Sequence, residues 1–156
     1  MQFMKETILI TGGSGLVGKV LTSLLTAQGY AVSILSRSPR KATENVTYYT
    51  WDLDKNEIDT NCFLKATHII HLAGENVASG RWTAQRKELI LKSRTRSTAL
   101  LYQALSKSPH QVKSFVSASA TGFYGSQTSD TIFSEDHPSG ADFLAHVCRD
   151  WEDSVD

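Results

Sequence analysis

The sequence predicts an α/β fold, a doubly wound parallel sheet with helices on both faces. Three observations carry the prediction. In Thr7-Ile8-Leu9-Ile10-Thr11-Gly12-Gly13-Ser14-Gly15-Leu16-Val17-Gly18 a short apolar strand ends in a glycine cluster, and residues 16–28 continue with helical apolar spacing. The run Thr67-His68-Ile69-Ile70-His71-Leu72-Ala73-Gly74 is nearly continuous in apolar character, as suits a parallel strand buried on both faces. Strand-like and helical runs alternate elsewhere, and right-handed crossovers assemble such a pattern into one parallel sheet. Five strands in the order 3-2-1-4-5 are expected.

The first unit sets the chemistry. A strand, glycine turn and helix point free N–H groups at one spot, where an anion is stabilised. Glycine is needed there because a Cβ would hold a pyrophosphate away from the backbone and the helix away from the strand. The spacing fits both Gly13-x-Gly15-x-x-Gly18 and Gly12-x-x-Gly15-x-x-Gly18. An ordinary tight loop is the alternative, but the position between strand and helix points to a dinucleotide.

Gly29 is a natural C-cap, and residues 30–35 read as the second strand. An acidic residue at its end would bond ribose hydroxyls and repel a 2′-phosphate. The chain instead has Ser36-Arg37-Ser38-Pro39-Arg40-Lys41. An arginine forms bidentate bonds to phosphate, so NADP is expected in preference to NAD; a solvated basic loop is the alternative.

Residues 46–51 form the third strand, ending in Asp52-Leu53-Asp54, where a carboxylate sits near an adenine or caps the next turn. Residues 57–65 are a polar connection, helical in part. His68 and His71 of the fourth strand read as structural, since no metal partner or nucleophile is spaced with them. Glu75-Asn76-Val77-Ala78-Ser79-Gly80-Arg81-Trp82 leaves that strand on the side where open parallel sheets bind ligands. Its polar groups suit a polar substrate; a surface loop stapled by Trp82 is an equal alternative.

Thr83 N-caps a long helix reaching about Ser106, with Leu89, Leu91, Leu100, Leu101 and Leu105 among its apolar positions. Its Arg86, Lys87, Lys92, Arg94 and Arg96 are expected on a mostly solvated face. Residues 112–118 form the fifth strand, followed by Ser119-Ala120-Thr121-Gly122-Phe123-Tyr124-Gly125, whose hydroxyls can orient a substrate hydroxyl or carbonyl. Residues 128–139 are polar and turn-rich. Residues 142–153 are helical, with Phe143, Leu144, Val147, Cys148 and Trp151 at core spacing.

At 156 residues the chain suits one domain, and its 16 basic and 16 acidic side chains argue against nucleic acid or an anionic membrane as partner. Residues 1–6 have no apolar signal core, and no apolar run is long enough to span a membrane, so a cytoplasmic protein is expected. Cys62 and Cys148 lack metal-ligand spacing and are expected reduced; no metal site is expected.

Several segments fall in the order of one superfamily. The Thr11 to Gly18 turn, His71-Leu-Ala-Gly74 and Ser119-Ala-Thr-Gly-Phe-Tyr124-Gly125 resemble the extended short-chain dehydrogenase/reductases. Leu72-Ala-Gly-Glu-Asn-Val-Ala-Ser-Gly-Arg-Trp82 is similar to a signature of an atypical branch. Ser93-Arg94 with Ser97-Thr98, Ser117-Ala-Ser-Ala120 and Phe143-Leu-Ala-His-Val-Cys-Arg-Asp-Trp-Glu152 are similar to it as well. That branch is the epimerase-like family of NADP-binding nucleoside-diphosphate-sugar epimerase homologues.

The resemblance implies an NAD(P)-binding Rossmann fold and reduction or epimerisation of a sugar-nucleotide-like or carbonyl substrate. It implies that Gly12, Ser14, Gly15, Leu16, Val17 and Gly18 cradle the pyrophosphate, while Ser36, Arg37 and Arg40 hold the 2′-phosphate. Asp52 and Leu53 would flank the adenine, and Leu72, Ala73, Gly74 and Glu75 would line the path to the nicotinamide. Ser119 and Ser117 are the catalytic candidates, with Tyr124 as proton donor. Typical members carry Tyr-x-x-x-Lys where this chain has Phe143-Leu-Ala-His-Val147. A catalytically silent NADP(H)-sensing module is therefore the alternative. Members usually continue into a C-terminal substrate domain, so residues 1–156 are expected to be the dinucleotide-binding part alone, with a homodimer as the assembly allowed for.

Overall fold

The structure, a computed structural model, describes residues 6–126 and 130–156. The expectations for residues 1–5 and 127–129 lie outside the described residues. Strands β1 (Thr7–Thr11), β2 (Ala31–Ser36), β3 (Val46–Asp52), β4 (Glu57–Ile58), β5 (Ala66–His71) and β6 (Ser114–Ser117) form one sheet in the order β4-β3-β2-β1-β5-β6. All neighbouring pairs are parallel except β3 with β4. The expected 3-2-1-4-5 order is thus present, with β5 and β6 as the fourth and fifth strands.

The connection 57–65 departs from expectation by contributing β4, whose two residues pair antiparallel with Trp51 and Asp52. A positive φ of 57° at Asn56 makes the tight reversal, and a 3₁₀ turn, Thr60–Phe63, follows. The fifth strand is shorter than expected, because only Ser114–Ser117 can pair with β5 residues His68 to His71.

Among the described residues there are three α-helices, α1 (Leu16–Ala27), α2 (Ala84–Lys107) and α3 (Phe143–Asp153), the last packed on α2 and on the 121–124 turn. Gly29, at φ 81°, lies one residue beyond the α1 cap, Gln28. Thr83 Oγ1 accepts the Arg86 N–H at 3.2 Å, as expected of an N-cap, and Asp142 Oδ1 accepts the Ala145 N–H at 3.0 Å, so Asp142 caps α3 instead of opening it. In α3, Ala145, Val147, Cys148 and Trp151 are buried, whereas Phe143 and Leu144 are half-buried at its first turn.

Alternation along β1 divides the core. Leu9 packs with Leu35, Trp51, Cys62, Phe63, Ile69, Leu100 and Leu101 on the face that α2 covers. Ile8 and Ile10 pack with Val32 and Ile34 on the opposite face, under Leu21 and Leu25 of α1. Burial pushes the Cys62 thiol up to about 12, so it stays protonated in the core. Among the described residues no helix is long and apolar enough to cross a membrane.

Candidate functional site

Chain crossings at the carboxyl edge of β1 and β5 leave no room for side chains. Gly12 has φ 71°, and a Cβ there would lie 2.7 Å from the Leu72 carbonyl oxygen. At Gly18 a Cβ would meet the Gly12 carbonyl oxygen at 2.4 Å and Gly13 Cα at 2.6 Å. These contacts press α1 against the turn and the turn against the end of β5. Gly15 is the N-cap of α1 without a side-chain cap, and the first turn holds no acidic residue. The N–H groups and positive dipole end of α1 are therefore left for an external anion. Leu16 and Val17 stand exposed beside them, and Ser14 shares a cavity of about 260 Å³ with Lys19, Arg40 and Tyr48.

A second cleft, of about 770 Å³, opens between the ends of β2 and β3 and the N-terminal half of α2. It gathers Arg37, Asp52, Leu53 and Glu75 from the expected set, together with Arg81, Arg86, Lys92, Ser93 and Arg96. Arg37 and Arg40 thus face different cavities, while the Ser36 hydroxyl accepts the Ser38 N–H within the loop. Asp52 caps the turn that follows it, accepting the N–H groups of Asp54 and Lys55 at 2.9 and 3.1 Å, and still lines the cleft. The Lys55 N–H is the main cause that holds its carboxyl below the ordinary value.

Arg86 and Arg94 are the main correction to the sequence reading of the α2 cations, whereas Lys92 and Arg96 are exposed as expected. Arg86 is not on a solvated face: its Nη1 donates to Glu75 Oε1 at 3.0 Å and its Nη2 to the Asn76 carbonyl at 2.5 Å. Arg94 lies 4.9 Å from the Trp151 ring on one side and packs against Gly74 on the other, where a Cβ would lie 3.0 Å from its guanidinium carbon. Its Nη1 donates to the carbonyls of Ile90 and Glu75. Burial lowers its pKa from the ordinary value. Arg96 reaches the Leu53 carbonyl at 2.8 Å, tying α2 to the end of β3. Leu89, expected in the core, is 48% exposed and lines the cleft. The overlooked signal was a stripe: Gln85, Leu89, Lys92 and Arg96 recur at intervals of three and four residues, one helix face.

The segment leaving β5 is fixed at each step. Glu75 donates its N–H to Ser93 Oγ at 2.9 Å, and Trp82 donates its indole N–H to the Val77 carbonyl at 2.8 Å. The Trp82 ring also meets Phe143 edge-on at 5.4 Å, so the indole does staple this loop. Ser117, Ser119 and Tyr124 stand apart from the large cleft's lining. Ser117 donates to the Ala118 carbonyl, Ser119 to the Glu152 carboxylate, and Tyr124 to the Ser134 carbonyl at 3.0 Å. Phe133 stacks on Tyr124 at 4.7 Å.

His71 is buried to 0% exposure between Thr11, Ser97 and Thr98, and burial lowers its pKa to about 4. His68 points to the other face, bonded to Glu6 and Ser114. Among the described residues no group of His, Cys, Asp or Glu could hold a metal. A dinucleotide fits the edge: the cradle is one a Cβ would fill, the helix end is uncapped, and cations flank it.

The NAD dependent epimerase/dehydratase family has a sequence model that matches residues 8–143. Epimerase family protein YfhF of Bacillus subtilis is 36% identical over 146 residues, covering 93% of this chain and 48% of that protein. The structure of human epimerase family protein SDR39U1 with NADPH superposes with a TM-score of 0.77 at 29% identity, covering 96% of this chain and 48% of that one. The nucleoside-diphosphate sugar epimerase of Corynebacterium glutamicum gives 0.75 at 35% identity, with 97% and 30% covered. The chain spans about half the length of the curated relatives it matches.

Proposed function

This chain belongs to the NAD dependent epimerase/dehydratase family, and from that premise we propose that it binds NADP(H) along the carboxyl edge of its sheet. Residues 1–156 act as a dinucleotide-binding domain serving an epimerase or oxidoreductase reaction on a sugar-nucleotide-like or carbonyl substrate. The observation that carries the reading is the glycine cradle, with Gly12 and Gly18 in backbone contact at an uncapped helix end. NADPH in the human relative supports the choice of cofactor. When bound, the nicotinamide supplies hydride exchange.

The pyrophosphate is held by Gly12, Ser14, Gly15 and the N–H groups of Leu16, Val17 and Gly18. Ser36 and Arg37 take the 2′-phosphate while Arg40, on the neighbouring cavity, adds charge beside it; Asp52 and Leu53 flank the adenine, and Leu72, Ala73, Gly74 and Glu75 border the nicotinamide path. Ser117 and Ser119 orient the substrate. Tyr124 donates a proton only after exchanging its bond to Ser134.

Calorimetry of NADPH and NADH against the native chain and Arg37→Ala tests this. NADPH is expected to bind more tightly than NADH. The variant is expected to weaken NADPH about tenfold to a hundredfold while leaving NADH unchanged, the usual worth of a charge-assisted phosphate contact. Equal affinities would sink the 2′-phosphate assignment, and no binding of either would sink the cofactor reading.

A further inference from the structure

We infer that His71 is a positioning residue. As a neutral imidazole with its proton on Nε2, it holds the glycine turn, the end of β5 and the middle of α2 at the spacing that the cofactor cleft needs. The inference rests on the NADP(H) reading above, but its core is a hydrogen-bond network that favours one proton arrangement.

Thr11 Oγ1 accepts the N–H groups of Leu72 at 3.2 Å and Ala73 at 3.1 Å. Its own proton is therefore free to go to His71 Nδ1, 2.6 Å away. With Nδ1 accepting, the single ring proton of the neutral imidazole sits on Nε2. That N–H faces Ser97 Oγ at 3.1 Å and Thr98 Oγ1 at 3.3 Å. Both hydroxyls are open as acceptors, because each gives its proton to the Arg94 carbonyl, at 2.7 and 3.1 Å. In the opposite tautomer a third proton would crowd Thr11 Oγ1 unless Leu72 gave its N–H wholly to the Thr11 carbonyl, also at 3.2 Å, and a serine or threonine would have to abandon Arg94. All four side chains are at 0% exposure, so water cannot substitute.

The network joins what the site needs joined. Leu72 and Ala73, held by Thr11, are the same backbone that Gly12 presses against. The Arg94 whose carbonyl ends the relay packs its guanidinium on Gly74 and donates to the Glu75 carbonyl. Segment 72–75 is thus fixed from two sides by α2, through His71 at one end and Arg94 at the other. None of the four relay residues lines either of the two site cavities, so their effect on the ligand is through placement.

The test compares Thr11→Val, which removes the hydroxyl at nearly constant shape, with Thr11→Ser, which restores it. Nitrogen NMR of the imidazole is expected to show a protonated Nε2 and a bare Nδ1 in the native chain and in Thr11→Ser. Thr11→Val is expected to shift the Nδ1 signal, to speed amide exchange at Leu72 and Ala73, and to weaken NADPH about tenfold, the size of one lost buried hydrogen bond. Thr11→Ser should stay within about twofold of native. A protonated Nδ1 at neutral pH, or native-like NADPH affinity in Thr11→Val, would overturn the inference. If the native chain binds no NADPH, the cofactor reading fails, while the ring-nitrogen and amide-exchange signals still decide the positioning claim. Should Thr11→Val not fold, Ser97→Ala combined with Thr98→Val, which removes both acceptors of the Nε2 proton, is expected to shift the Nε2 signal and weaken NADPH about tenfold, and a native-like affinity there overturns the inference.

Discussion

The two faces of the sheet are built differently. The face under α2 is closed: Leu9, Phe63, Ile69 and Leu101 are at 0% exposure, and His71 is sealed with them at its edge. Among the described residues the opposite face has α1 as its one helix, and that helix turns Leu16, Val17, Val20 and Leu24 outward at 54–86% exposure. One strand shows the contrast in two residues, since His71 of β5 is locked in hydroxyls on the closed face while His68 meets Glu6 on the open one. Stability is concentrated on the closed face, and the placement of the site's backbone depends on it. The open face contributes Gly18 and the helix end to the cradle, and its own core is smaller, Ile8, Ile10, Val32 and Ile34 under Leu21 and Leu25 of α1.

The largest effect should come from the closed face. Phe63→Ala removes its largest fully buried side chain and should cost about 3–5 kcal/mol, read as a fall in the urea midpoint. A loss under 1 kcal/mol would mean that this core is not the main source of stability.

Acidification comes next. His71, at about 4 when folded against an ordinary 6.5, stays neutral while the unfolded chain takes up a proton. Stability is therefore complete above pH 6.5 and is lost as pH falls toward 4, by about 3 kcal/mol across the window. Urea melts at pH 7 and 5 bracket most of it, above the range where the lowered carboxyls of Asp52 and Asp142 titrate. His71→Phe should flatten the slope, and an unchanged slope would remove His71 as its source.

The smallest effect belongs to the open face, where Leu24→Ser should shift stability by no more than about 0.5 kcal/mol. A larger loss would show that the outward stripe of α1 is packed in solution, and sedimentation would then reveal a second copy as the cover.

Local signals carried much of this fold into view. The glycine spacing, the cap Thr83 and the continuous β5 run all act over a few residues, so their meaning survives reading in one dimension. The α2 cations did not, because Arg86 and Arg94 look like surface charges, and Arg96, which is exposed, looks idle until Glu75, Trp151 and Leu53 are brought beside them. Those partners lie 11, 57 and 43 positions away along the chain, and only the packing of α2 onto the sheet and α3 unites them. Hydroxyl-rich Ser97-Thr98 likewise acquired meaning from His71, 26 positions upstream.

By itself the sequence determined the order of the five parallel strands, the glycine turn and the helix starts, because conformation and capping are dictated by near neighbours and crossovers are right-handed; the antiparallel edge strand β4 came from the structure alone. Tertiary structure alone decided which charges are buried, which histidine is sealed and which face stays open. Burial and pairing are properties of distant segments meeting, and the energy of a charge or a polar proton depends on what stands beside it.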